Sequence, residues 1–131
     1  MVVLIVEDDP VQRRTYLKLF ELHGHKVILT QTAIAAVDVL RTEKVDLVIL
    51  DYELDGTMTG VEVAHFVVTL NKFGHHCEVF MVSGFPRSEI EERSRKGNPL
   101  EGVSLFFDKP LVDFDLFLKA VQIVSDNAEE S

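Results

Sequence analysis

The sequence predicts an α/β domain built on a doubly wound, five-stranded parallel sheet with helices on both faces. Three observations carry this. The stretches VVLIV (Val2–Val6) and VDLVILD (residues 45–51) are almost unbroken Val, Ile and Leu, as in strands buried on both faces. Five short apolar runs alternate with five segments of helical character in the order βαβαβαβαβα, which requires right-handed crossovers. The two purest runs also stop abruptly on carboxylates, Glu7-Asp8-Asp9 and Asp51. In open α/β sheets the working site lies beyond the carboxyl ends of the strands.

The elements follow in order. Behind the first strand, Asp9 suits an N-cap and Pro10 the first helical position. That helix is expected to reach about His23, with Val11, Tyr16, Leu17, Phe20 and Leu22 as its apolar stripe. Gly24 then ends it in a left-handed conformation. Residues 27–30 make a short strand. Thr32 starts a second helix, with Ile34, Val37 and Leu40 at helical spacing, closing near Glu43. Strand 45–51 leads into a turn-rich loop over 52–59. Gly60 opens a third helix with Val61, Ala64, Val67, Val68 and Leu70 inward, ending at Phe73-Gly74.

Residues 79–82 form the fourth strand, and Ser83-Gly84-Phe85-Pro86 the loop beyond it. Residues 88–96 are charged around one large apolar side chain, Ile90, and predict a short, exposed helix. Gly97-Asn98-Pro99 breaks it. Strand 103–107 runs into Asp108-Lys109-Pro110. Asp113 caps a last helix whose stripe is Leu116, Phe117, Ala120, Val121 and Val124. The domain is expected over 1–125, with 126–131 a polar tail.

At 131 residues, one domain buries roughly two-thirds of its unfolded surface. Hydrophobic content of 47% with 27% charged residues fits a soluble globular chain. There is no apolar run of ~18 residues and no basic segment followed by an apolar one at the start. The protein is therefore expected to be cytoplasmic, neither membrane-inserted nor secreted. The single cysteine, Cys77, allows no internal disulfide, suits a reducing compartment, and is read as a buried filler. A net charge of −9 argues against direct nucleic-acid binding. His23, His25, His75 and His76 fall near helix ends, away from the carboxyl edge, and His65 on the third helix; all are read as solvated.

The strand ends together carry Glu7-Asp8-Asp9, Asp51, Ser83 and Lys109. Each has an ordinary explanation alone: acids cap helices, serine occupies turns, and lysine before proline is a common surface residue. As a set they are chemically coherent. Three carboxylates crowding one cleft repel unless a cation sits among them. Carboxylates with open water positions suit Mg²⁺. With Lys109 and a Ser83 hydroxyl around Asp51, the cleft is a receiving pocket for a phosphoryl group, Asp51 being the nucleophile.

On these motifs the chain resembles the receiver domain of two-component response regulators, over essentially 2–124. The motifs are the acidic pair in V-E-D-D, the Asp of V-I-L-D, the Ser of M-V-S-G and the Lys of D-K-P. The resemblance implies the flavodoxin-like (βα)5 strand order 2-1-3-4-5. It makes Asp51 the phosphoacceptor, Ser83 the switch hydroxyl, Lys109 the phosphate-binding lysine and Phe106 the switch aromatic. Glu7, Asp8, Asp51 and the backbone carbonyl of Glu53 become the ligands of Mg²⁺ or Mn²⁺, and Asp9 is left to capping. Implied partners are a sensor histidine kinase or histidine phosphotransfer protein and a downstream target or attached domain. The chain is expected as a monomer or a weak, phosphorylation-dependent dimer, and as an acceptor that catalyses only its own phosphorylation and dephosphorylation.

Departures from the common receiver pattern are specific. Asp55 stands where many have proline, Gly60 comes nine residues after Asp51, Gly84 replaces the commoner alanine, and Ser83 and Lys109 are 26 positions apart. The wording of the motifs is similar to receivers attached to hybrid sensor kinases. The segment 85–102, charged and Gly/Pro-broken, is expected to be the least protected part of the fold. Phe106 is expected to favour its inward position even before phosphorylation, because phenylalanine lacks a hydroxyl to hold it in water.

Rival functions are weaker. An FMN site would need a Ser/Thr/Gly-rich phosphate loop where Glu7-Asp8-Asp9 stands. A Mg²⁺-dependent nuclease or topoisomerase-type centre would leave Ser83 and Lys109 idle. The remaining alternative is a degenerate receiver that acts as a phosphorylation-independent docking module.

Overall fold

A computed structural model describes residues 1–54, 60–86, 88–90, 101–111 and 113–130. Among them, β1 (Val2–Val6), β2 (Lys26–Thr30), β3 (Leu47–Asp51), β4 (Glu78–Ser83) and β5 (Leu105–Asp108) form one parallel sheet. Its order is β2-β1-β3-β4-β5, the order the resemblance implied. Helices α1 (Pro10–Leu22), α2 (Ala33–Thr42) and α3 (Gly60–Lys72) lie between strands, and α4 (Phe114–Glu130) follows β5.

Strand alternation divides the core into two layers. Leu4, Val6, Val48, Leu50, Val79 and Met81 face α2 and α3, packing with Ala36, Leu40, Ala64 and Val67. Val3, Ile5, Leu47, Ile49, Phe80 and Val82 face the other way, onto Tyr16 and Phe20 of α1 and Phe117 and Val121 of α4. Both faces of β1 and β3 are thus buried, which is why these strands read as continuous apolar runs rather than alternating ones. Phe106 and Phe107 split between the two layers, as alternation requires.

Helix ends follow the sequence signals. Asp9 Oδ1 accepts from Val11 N at 2.9 Å, Thr32 Oγ1 from Ala35 N at 3.1 Å, and Asp113 Oδ1 from Leu116 N at 3.0 Å. Helix faces differ in detail. Val11, Leu22, Ile34 and Leu116, expected inward, are exposed. Neighbouring helical residues point ~100° apart, so burying Phe117 turns Leu116 out, and burying Phe20 puts Leu22 on the far side. In α2 the small Ala33 and Ala36 take inner positions, leaving Ile34 outside.

The last helix runs further than its apolar stripe, which ends at Val124, indicated. Helix α4 continues through 126–130, where no glycine or proline interrupts it and Gln122 Nε2 donates to Asp126 Oδ1 at 2.8 Å. Ile90 is fully buried, not part of an exposed face, and 88–90 is helical. The rest of the segment 91–96, the break at 97–99 and the loop residues 55–59 lie outside the described residues. His25 is half-buried, with Nδ1 3.3 Å from the Met1 nitrogen and its ring against Phe20. His23, His75 and His76 are exposed. Cys77 is buried, and burial above all pushes its thiol up to about 12, the behaviour of a filler rather than a nucleophile. No helix among the described residues is long and apolar enough to cross a membrane.

Candidate functional site

β1 and β3 are neighbours with Val6 paired to Leu50, so the residues that follow, Glu7 and Asp51, arrive side by side at the carboxyl edge. Both are almost fully buried. Carboxylate oxygens of Glu7, Asp8 and Asp51 lie within 4.8 Å of one another. β5 contributes the cation: Lys109 Nζ is 3.0 Å from Asp51 Oδ2 and 3.6 Å from Glu7 Oε2. Its backbone is held by Lys109 N donating to Ser83 O at 2.8 Å. Asp9 stays with its cap, although its amide donates to Glu7 Oε1 at 3.2 Å.

The electrostatics are unbalanced. Burial, then repulsion from Asp51 and a shared hydrogen bond with it, push the Glu7 carboxyl far above its ordinary range. Lys109 only partly offsets this. Burial opposes the charge on Lys109, but its hydrogen bond to Asp51 and the nearby charges of Asp51, Glu7 and Glu53 outweigh burial and raise its affinity for the proton. Among the described residues one lysine faces three clustered acids, a surplus of negative charge. The donor set and this surplus fit a hard divalent cation.

The acidic pair is fixed by a residue that the sequence did not single out. Arg13 Nη1 donates to the carbonyls of Glu7 at 3.1 Å and Asp8 at 2.9 Å, bracing the turn that carries both acids. Gly60 explains its own placement: a Cβ there would lie 2.6 Å from the Asp51 carbonyl oxygen. The first turn of α3 can sit against β3 only because residue 60 has no side chain.

Ser83 is fully buried at the end of β4. Its Oγ accepts from Phe85 N at 2.9 Å and donates to Glu53 Oε1 at 3.3 Å. Glu53 enters the site in an unexpected way. Its amide donates to Asp51 Oδ1 at 2.9 Å, and its carboxylate, to which the sequence reading gave no role, accepts from Gly84 N at 2.7 Å. Phe106 is half-buried in the α2/α3 layer opposite Met81, two residues from Ser83 in register and on the same face. The Lys109–Pro110 peptide is cis.

A cavity of about 270 Å³ opens beside Lys109 between α1 and the start of α4, with Val11, Leu111 and Phe114 in its wall. A larger cavity, about 420 Å³, is at the opposite edge of the sheet, lined by Glu78, Leu105 and Ile123 among others. None of the clustered side chains reaches it.

Comparison with known proteins agrees with this geometry. The profile of the response regulator receiver domain family matches residues 3–122. The polar-differentiation response regulator DivK of Brucella anthropi is 29% identical over 109 residues, covering 83% of this chain and 84% of that protein. Among solved structures, a CheY-like receiver domain from Methanospirillum hungatei superposes with a TM-score of 0.79 at 23% identity, covering 99% of this chain and 98% of that one. Response regulator TrrA from Thermotoga maritima, in complex with Mg²⁺-BeF, gives 0.75 at 20% identity over 94% and 97% of the two chains.

Proposed function

The chain belongs to the response regulator receiver domain family, and on that premise we propose that Asp51 accepts a phosphoryl group from a phosphohistidine donor. The observation that carries this reading is the buried Asp51 carboxylate with Lys109 Nζ at 3.0 Å and two further acids within 4.8 Å. An Asp51 carboxylate oxygen attacks phosphorus, the bond to the donor imidazole nitrogen breaks, and the electron pair leaves with the imidazole. Lys109 holds the negative charge that builds on the phosphoryl oxygens. Glu7, Asp8, Asp51 and the Glu53 carbonyl would hold Mg²⁺ or Mn²⁺. When bound, that ion supplies charge neutralisation for acids and phosphoryl group alike. Hydrolysis of the acyl phosphate by water returns Asp51, so the protein acts on itself rather than turning over a substrate.

Exposed Val11 and Phe114 beside Lys109 offer an apolar rim for a sensor kinase or histidine phosphotransfer protein, next to the acceptor. On phosphorylation, Ser83 and Phe106 shift together and alter the face presented to a downstream target. A small-molecule phosphodonor with Mg²⁺ should add one phosphoryl group by intact mass, and chelator should prevent it. If no adduct forms under either condition, the site is a docking module instead.

Metal should also change how stability depends on pH. The folded Glu7 pKa is raised above its unfolded value of 4.5. Its contribution therefore favours folding below that unfolded value and is lost as pH rises through the folded one. In chelator the melting temperature should fall as pH climbs from about 5 to about 8. Mg²⁺ should flatten the fall, by ~2.7 kcal/mol at a hundredfold excess over its dissociation constant. A melting curve indifferent to Mg²⁺ across that range would contradict the cation site.

A further inference from the structure

We propose that the Glu53 carboxylate is a built-in competitor for the phosphoryl oxygens, occupying the Ser83 hydroxyl and the Gly84 amide until the phosphoryl group displaces it. The inference rests on the reading of Asp51 as acceptor. A phosphoryl group on Asp51 needs donors for its oxygens, and the cleft offers the Lys109 ammonium, the Ser83 hydroxyl and the amide that follows Ser83. Two of these three are already taken by one carboxylate oxygen: Glu53 Oε1 is 2.7 Å from Gly84 N and 3.3 Å from Ser83 Oγ. The 2.7 Å contact is in the range of a charge-assisted hydrogen bond.

The chain is built to admit this carboxylate. Residue 84 is glycine, and a Cβ at that position would stand 3.2 Å from Glu53 Oε1, a contact the carboxylate could relieve only by shifting a few tenths of an ångström. The carboxylate is also held from its own backbone, since Glu53 N donates to Asp51 Oδ1 at 2.9 Å. Glu53 is exposed, so its side chain has open solvent to move into. The two donors are therefore satisfied in both states, by Glu53 before phosphorylation and by the phosphoryl oxygens after it. The cost of phosphorylation includes breaking the Glu53 contacts and bringing one anion beside another, so the side chain lowers the affinity of the cleft for a tetrahedral anion.

The test compares wild type with Glu53→Gln, Glu53→Ala and Gly84→Ala, using beryllofluoride with Mg²⁺ as the probe and the Gly84 amide resonance as the readout. Without anion, Glu53→Ala should shift the Gly84 amide and speed its hydrogen exchange, because that donor loses its acceptor. Glu53→Gln should then bind beryllofluoride about tenfold more tightly, equivalent to the ~1.4 kcal/mol by which a charge-assisted hydrogen bond exceeds a neutral one. Gly84→Ala should move in the same direction by a smaller factor. A purely structural role for Glu53 would weaken binding rather than tighten it. A Gly84 amide that does not respond to Glu53→Ala, or equal or weaker affinity in Glu53→Gln, overturns the competitor. If none of the four proteins takes up beryllofluoride, the acceptor reading of Asp51 fails and the competitor falls with it; uptake by wild type with a Gly84 amide indifferent to Glu53→Ala overturns the competitor alone.

Discussion

Lys109→Ala should slow phosphoryl transfer to Asp51 by about 10²–10³-fold, the usual loss when one preorganised group facing the developing charge is removed. Lys109 Nζ lies 3.0 Å from Asp51 Oδ2 and 3.6 Å from Glu7 Oε2, so its charge serves both the acceptor and the crowded acids. Two effects then separate. The transfer rate, followed by intact mass at a fixed phosphodonor concentration, reports the lost stabilisation of the phosphoryl oxygens. The melting temperature in chelator reports the lost compensation of Glu7 and Asp51, and saturating Mg²⁺ should restore most of it without restoring the rate. Lys109→Arg keeps the charge but replaces a compact ammonium with a planar fork, and should recover stability better than rate. Transfer at wild-type speed in Lys109→Ala would remove Lys109 from the chemistry.

Phe117→Ala should cost about 3–5 kcal/mol, the range for a large aromatic removed from a close-packed core. Phe117 is fully buried where α4 meets the sheet. Its ring lies edge-on to Phe107 at 5.2 Å, Phe20 at 6.1 Å and Phe80 at 6.3 Å, so the cavity would open among three rigid rings that collapse poorly. Against a typical total of 5–15 kcal/mol, that is a large fraction. Urea denaturation should show a lower midpoint with an unchanged slope. Because Phe117 belongs to the layer opposite Ser83 and Phe106, the variant should still accept phosphate at low temperature. A loss under ~1.5 kcal/mol would mean that α4 is not a principal support of the core.

The parts of this molecule readable in sequence are those set by local pattern. Unbroken Val/Ile/Leu runs marked β1 and β3 because both of their faces are buried. The carboxylates, hydroxyl and lysine were legible because a parallel sheet brings every strand end to one edge. Helix faces were less so. Leu22, Ile34 and Leu116 look like core residues by type, yet α2 turns the small Ala33 and Ala36 inward instead of Ile34, and Phe117 outcompetes its neighbour for one inward direction.

Two site contributions could not be read from the sequence alone. Arg13 acts on backbone carbonyls, so nothing in the side-chain pattern marks it. The Glu53 carboxylate meets Gly84 across 31 residues, a contact that exists only because β3 and β4 are adjacent. Its sequence signal, an acid two residues past Asp51 with glycine after Ser83, acquires meaning once the strand order is known.

The central claim is that Asp51 is the phosphoacceptor. The most direct measurement is borohydride trapping after incubation with Mg²⁺ and a small-molecule phosphodonor, followed by peptide mass spectrometry. Reduction of an acyl phosphate converts the aspartate to homoserine. The account predicts that conversion at position 51, dependent on Mg²⁺ and absent from Asp51→Asn. Conversion at Asp8 or Asp9, or a phosphoryl adduct of undiminished yield in Asp51→Asn, would contradict it.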